Sequence, residues 1–152
     1  MELQQHAQQP TTTISSELPN TALPSLALNQ CTEKIYHGVR HRDGSCEVSV
    51  NEPSTSTPLR QAATSSRPLP LHLELRNHSP TGFAWGYGGS GPAQLAVAIL
   101  MDATGEPTLA LRHHQEFKLR FVTGLVNSWS ITQIEVLSFL ASQENPAGCR
   151  PA

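Results

Sequence analysis

No lysine or arginine occurs before Lys34, and across the 152 residues charged side chains amount to 14% and aromatics to 5%. A protein that grips a phosphate backbone needs surplus cations to displace its counterions. From Cys31 to Ala152 there are ten Lys plus Arg against ten Asp plus Glu, the total of 12 acidic residues less Glu2 and Glu17. The region expected to fold is therefore neutral, which argues against general nucleic-acid binding and leaves room only for a local patch. Cysteine is equally scarce. Cys31, Cys46 and Cys149 form none of the close pairs that zinc ribbons and thiol redox motifs require, so reduced thiols are expected. The longest apolar run, Leu95 to Met101, is far too short to cross a bilayer, and no basic start with an apolar core marks the N-terminus. A cytoplasmic protein with no membrane contact is the expectation.

What is present is unevenly distributed. Residues 1–30 are dominated by Gln, Thr, Ser, Pro and Asn with scattered Ile and Leu, and read as a disordered tail. The segment KIYHGVRHRDGSCEVSV carries an Asp43-Gly44 pair, a signal for a two-residue hairpin turn. Setting Arg42 against Ser45 pairs His41 with Cys46 and Val39 with Val48. One face then carries Ile35, His37, Val39, His41, Cys46, Val48 and Val50. Residues 51–68 turn to Ser, Thr, Pro and Ala and read as a flexible linker within a single domain over 33–142. PLHLELR alternates Leu71, Leu73 and Leu75 against His72, Glu74 and Arg76, the period of a third strand.

Three helices are expected downstream. PAQLAVAILM is apolar almost throughout and predicts a buried central helix, ended by Thr104, Gly105 and Pro107. Leu109, His113, Phe117 and Phe121 fall four apart on a second helix, with Gly124 as its stop. Ser130 three residues before Gln133 has capping-box spacing and opens a short last helix, with a frayed tail over 143–152. Strands first and helices afterwards make an α+β domain, a small antiparallel sheet packed against about three C-terminal helices.

The stretch GFAWGYGGSGPAQLAVAIL concentrates the candidate functional residues. Pro92 suits a first helical turn, with Gly91 or Ser90 as the cap. The amides of Ala93, Gln94 and Leu95 would then lack helical acceptors and face outward at the positive end of the helix dipole. Gly86, Gly88, Gly89 and Gly91 would let backbone approach an anion, and Trp85 or Tyr87 could stack on a ring. Against this stands a purely structural reading, in which the glycines make sharp turns so that Phe83, Trp85 and Tyr87 tuck into the core. A third reading presents Trp85 and Tyr87 outward as anchors for a protein partner. Gly86, Gly88 and Gly91 formally fit G-x-G-x-x-G, but Pro92 directly follows and no second parallel strand is expected, which opposes a dinucleotide fold.

Other chemistries are thinner. His37, His41 and Cys46 share a face in the register above and suggest a three-ligand metal site, against an ordinary sheet face. No fourth ligand follows, and no metal or cofactor is expected. Of the adjacent His113 and His114, His113 lies on the apolar stripe and reads as a packing residue. Ser90, His78 and Glu74 could supply nucleophile, base and orienter. The surroundings of Ser90 lack the G-x-S-x-G elbow, and Asn77-His78-Ser79-Pro80 is a natural turn, so an enzyme is disfavoured.

Tyr36, Gly38, Arg40 and Gly44, followed by HSPTGFAWGYGGSGPAQLAVAIL, resemble a small bacterial family filed as a domain of unknown function. Its members are often carried on plasmids, phages and other mobile elements. The resemblance covers Ile35 to about Leu140 outside the linker. It implies a soluble accessory protein with no established reaction. The expected function is a non-enzymatic interaction module, an accessory or host-defence inhibitor of a mobile element, with a host protein as partner. Its expected surface comprises Arg76, His78, Trp85, Tyr87, Gly88, Gly89, Ser90, Gly91 and Gln94. The alternatives are a nucleotide or phosphate ligand at the helix start and, more remotely, a small hydrolase.

Overall fold

The computed structural model describes residues 33–53 and 64–144. The predicted tail 1–30, the middle of the predicted linker and the residues after Glu144 lie outside the described residues. In chain order the elements are β1 (Ile35–Arg40), β2 (Cys46–Pro53), β3 (Thr64–Pro68), α1 (Ser90–Thr104), α2 (Pro107–Phe117), a π-helical turn (Lys118–Val122), β4 (Ser128–Thr132) and α3 (Gln133–Glu144). The strands form one antiparallel sheet in the order β3-β2-β1-β4. The α+β class is as expected.

The hairpin forms, but one residue out of the expected register. Tyr36 lies opposite Val50, Gly38 opposite Val48 and Arg40 opposite Cys46. Asp43 causes the shift: its Oδ1 accepts from the Ser45 amide at 2.9 Å and from the Ser45 hydroxyl at 2.6 Å. The chain therefore turns through three residues, Arg42 to Gly44. The Gly44 amide donates to the His41 carbonyl, and Gly44 takes the left-handed φ of 88° that closes such loops. A slip of one residue turns one strand over relative to the other, so β2 keeps its expected inner face while β1 presents Tyr36 and Gly38 inward in place of His37 and Val39. Tyr36, Val48 and Val50 are buried, while Ile35, His37 and His41 lie on the opposite, outer face. Cys46 is thus separated from His37 and His41, and the proposed three-ligand site is not formed. Among the described residues no group of three potential ligands is close enough to hold a metal.

The third strand is not where alternation placed it. Thr64–Pro68, inside the predicted linker, pairs with β2, and β2 itself runs on to Pro53. Leu71 to Arg76 instead turns back on itself: the Leu75 amide donates to the His72 carbonyl, and His72 adopts a φ of 52°. The fourth strand, SWSIT, joins the other edge. Trp129 and Ile131 face the core and Ser128 and Ser130 face out. The helix cap therefore falls two residues later than expected. Thr132 and Glu135 form the box, the Glu135 carboxylate accepting from the Thr132 amide at 2.8 Å and the Thr132 hydroxyl accepting from the Glu135 amide at 3.2 Å.

α1 is buried without interruption from Gly91 to Leu100. It packs on α2 and α3 and reaches the inner face of the sheet through Asp102. On α2 the buried positions are Ala110, His114 and Phe117, so the core histidine is His114 rather than the expected His113. The ladder then widens to a π turn, and Phe117 stacks on Phe121 with ring centroids 4.8 Å apart.

One inward contact binds the sheet to α1, and a second joins two strands within the sheet. At one end the Asp102 carboxylate accepts from Lys34 and the Tyr36 hydroxyl, each at 3.1 Å, and from Arg67 at 2.5 Å, while Arg67 also reaches Glu52 at 2.7 Å. Burial pushes the Asp102 carboxyl up, but the hydrogen bonds and charges of Arg67 and Lys34 outweigh it and hold the group below the ordinary 3.8. Burial first, and then Asp102, drives the Tyr36 phenol upward. At the other end Trp129 lies against Gly38, where a β-carbon would overlap the indole. Gly38 thus makes room for a side chain from the neighbouring strand.

Two outcomes are expected. Gly38→Ala forces the Trp129 ring away and should destabilise by about 1–3 kcal/mol in urea unfolding. Because the folded chain holds Asp102 below its unfolded value, the unfolded state takes up the proton first on acidification. Its contribution is complete above the ordinary carboxylate value and is lost as the pH falls through the lowered one. Asp102→Asn should be less stable than the parent at neutral pH and should flatten the loss of thermal midpoint below about pH 4.

Candidate functional site

Gly82 and Gly86 both take positive φ, 132° and 84°, and the chain between them swings Trp85 inward. The indole is fully buried and meets Trp129 edge to face at 5.5 Å. Its Nε1–H donates to the Val126 carbonyl. Arg40 donates to the Trp85 carbonyl at 2.6 Å and lies over the ring, 5.3 Å from its centroid. The Gly86 amide donates to the Val122 carbonyl at 3.1 Å, and a β-carbon on Gly86 would come within 2.9 Å of the Leu125 carbonyl. Glycine is needed there both for φ and for this approach. Trp85 is therefore a core residue and is withdrawn from the exposed surface expected of it.

Tyr87 points the other way. The residue is 52% exposed, and its ring lies across Gly89, where a β-carbon would overlap it. The phenol oxygen comes to 3.2 Å from the position a Gly91 β-carbon would take, and Ala84 Cβ to 2.7 Å of the same point. The helix tip is covered. α1 is capped at Gly89 and begins at Ser90, earlier than Pro92 suggested. The Ala93 amide donates to the Gly89 carbonyl at 3.2 Å, and the amides of Gln94 and Leu95 fall within the helical ladder. Gly91, Pro92, Ala93 and Gln94 are buried, so the outward-facing anion site expected at these amides is not built. Gly88 lies open, with nothing near the position of a β-carbon, and Ser90 is exposed.

Gln94 is fully buried and spends its amide on the preceding loop. Its Oε1 accepts from the amides of His78 and Ser79 at 2.7 and 3.1 Å, and its Nε2 donates to the Leu71 carbonyl at 2.6 Å. It is a buried clamp rather than a ligand contact. His78 meets His114, Nε2 to Nε2, at 3.1 Å. Burial holds both imidazoles below the ordinary 6.5. His114, Arg76 and Lys118 add to this for His78; for His114 the Leu111 carbonyl opposes it. Glu74 is occupied by His72 at 2.8 Å. Of the residues named for a hydrolase, His78 engages His114, Glu74 engages His72, and Ser90 is exposed as the first residue of α1. Arg76 is exposed.

Of the expected surface, the outward face of the loop keeps Tyr87, Gly88, Gly89 and Ser90. Sequence reasoning missed Val126, 69% exposed on the neighbouring loop that the Trp85 and Gly86 hydrogen bonds tie to this one. Its only trace in the sequence is a lone valine between Leu125 and Asn127. A family model described as a family of unknown function, DUF6166, matches residues 36–142. No curated protein and no solved structure matches the chain.

The two aromatics should separate cleanly in stability. Trp85→Ala empties a fully buried site and should cost about 3–5 kcal/mol in chemical denaturation. Tyr87→Ala, half exposed, should stay within about 1 kcal/mol of the parent.

Proposed function

The chain belongs to the DUF6166 family, whose members have no assigned function, and on that premise we propose that it is a non-enzymatic interaction module. Its contact surface is the outward half of the aromatic glycine loop, Tyr87 to Ser90, extended by Val126. The observation that carries this reading is the pairing of a half-exposed Tyr87 with a rigid base. The backbone directly before it is fastened through Trp85 and Gly86 to Arg40, Val122 and Val126. A large aromatic that is already immobilised loses little entropy on binding, the property that makes tyrosine a frequent energetic anchor at interfaces. The neutral balance of Lys plus Arg against Asp plus Glu from Cys31 onward favours a protein partner over a nucleic acid.

The chemistry of the surface fits a partner offering an apolar pocket for one phenol ring with a hydrogen-bond partner at its base. In the finer form of the proposal, the protein is an accessory or host-defence inhibitor of a mobile element and the partner is a bacterial host protein. Affinity capture from a bacterial lysate, quantified against Tyr87→Ala and Val126→Ser, tests it. A specific partner should be retained by the parent and reduced at least about tenfold by Tyr87→Ala, the size of effect expected for an interface anchor. Both variants should stay within several degrees of the parental thermal midpoint, well folded at the temperature of the capture. Full retention of every specific partner by both variants would remove this surface from the function.

A further inference from the structure

His78 and His114 bring two imidazole Nε2 atoms to 3.1 Å with ring centroids 5.1 Å apart, joining the segment after Asn77 to α2 across 36 residues of sequence. The His114 Nδ1 lies 2.8 Å from the Leu111 carbonyl. A carbonyl only accepts, so Nδ1 carries the proton and Nε2 presents a lone pair. The side-chain amide of Gln115 also lies 2.8 Å from that same Nε2. One in-plane lone pair makes one well-formed hydrogen bond, yet two groups converge on it, the Gln115 amide and His78 Nε2, which must carry its proton there to bond. The ring that receives them is 4% exposed.

A metal ion removes this competition. Two nitrogens each about 2.0–2.1 Å from a metal and subtending about 100° stand about 3.1 Å apart. His78 then shifts its proton to Nδ1 and offers its own lone pair, and Gln115, turned end for end, offers its amide oxygen. A metal-bound histidine ordinarily donates its other ring N–H to a carbonyl or carboxylate, and His114 is already held in that way. Burial also keeps both rings in the neutral form that a metal needs. We propose that His78 and His114, with the Gln115 amide, form a binding site for a divalent transition metal of the imidazole-preferring class, Zn2+, Ni2+ or Cu2+, with water completing the coordination.

Among the described residues no third His, Cys, Asp or Glu joins the pair, and the positive charges of Arg76 and Lys118 act on it. The site is accordingly of modest affinity and unsuited to Mg2+ or Ca2+, which require oxygen-rich shells. Its physical effect is a staple between the loop that Gln94 clamps and α2.

The untagged full-length protein, in a buffer that does not coordinate metals, is titrated with ZnCl2, NiCl2 and MgCl2. Calorimetry gives the stoichiometry, and the histidine ring signals are followed by NMR. Expected are saturable binding of one Zn2+ or Ni2+ per chain, no binding of Mg2+, a raised thermal midpoint, and perturbation of the His78 and His114 rings before any other histidine. His78→Ala should lower the affinity at least about tenfold. Absence of saturable binding below the millimolar range overturns the proposal, as does unchanged affinity in His78→Ala. So does perturbation confined to other histidines, which reads the parent protein directly and does not depend on how any variant folds.

Discussion

The burial of the Trp85 indole is the contact on which the rest of the domain depends. It sits between the sheet, through Trp129 and Arg40, and the chain after the π turn, through Val126. Full burial of an indole is among the largest single apolar contributions a small core receives, and its polar N–H must find a partner inside. The Val126 carbonyl supplies one, which fixes the loop leading into β4. Arg40 satisfies the backbone carbonyl of Trp85 itself. The glycines around Trp85 follow from this demand: Gly86 gives the φ and the close approach that allow the chain to leave the core again, and Gly38 leaves space for the partner indole. What first reads as a ligand-cradling loop is largely the geometry needed to bury one ring and expose the next.

Polar groups handle the remaining joints. Gln94, buried on α1, satisfies three backbone groups of a segment that has no regular structure of its own, and so replaces the ladder bonds a strand would have made. Asp102 on the same helix gathers Lys34 and Tyr36 from the start of β1 and Arg67 from β3. A mostly buried carboxylate is tolerable only when fully partnered, and here the partners fix where the sheet lies against α1. β3 is the clearest beneficiary. Its sequence, TSSRP, has no apolar face, and it is held by the backbone ladder to β2 and by Arg67 reaching Glu52 and Asp102.

That explains which parts of the fold were legible. The central helix, the second helix with Pro107 at its start, and the existence of the first hairpin could be read because each depends on local chemistry: an apolar run, a proline, an Asp-Gly pair. β4 was also legible in principle. The alternation in Ser128 to Thr132 is a strand period, but the Ser130 to Gln133 spacing imitates a helix cap, and the true cap lies at Thr132 and Glu135. The false strand at Leu71 to Leu75 fails for a different reason. Alternation describes which faces a strand would present, and Gln94 and the turn at His72 claim those backbone groups first. On the candidate surface, Tyr87 could be picked from sequence as an aromatic in a glycine setting, whereas Val126 is there only because two hydrogen bonds carry its loop alongside.

By itself the sequence determined the first hairpin and the run of helices after the glycine loop, the neutrality of the region that folds, the buried character of α1 and the need for turns at Asp43-Gly44 and at Gly82 to Gly89. These are properties of neighbouring residues and summed composition. Tertiary structure alone decided which way each ring in the glycine loop faces, which of two adjacent histidines enters the core, and which face of β1 is covered. Each of those choices turns on a single-residue shift in register or about 100° of helix rotation. Local sequence leaves such alternatives nearly equal in energy, and only partners distant in the chain, Trp129 against Gly38, Val126 against Trp85 and His78 against His114, separate them.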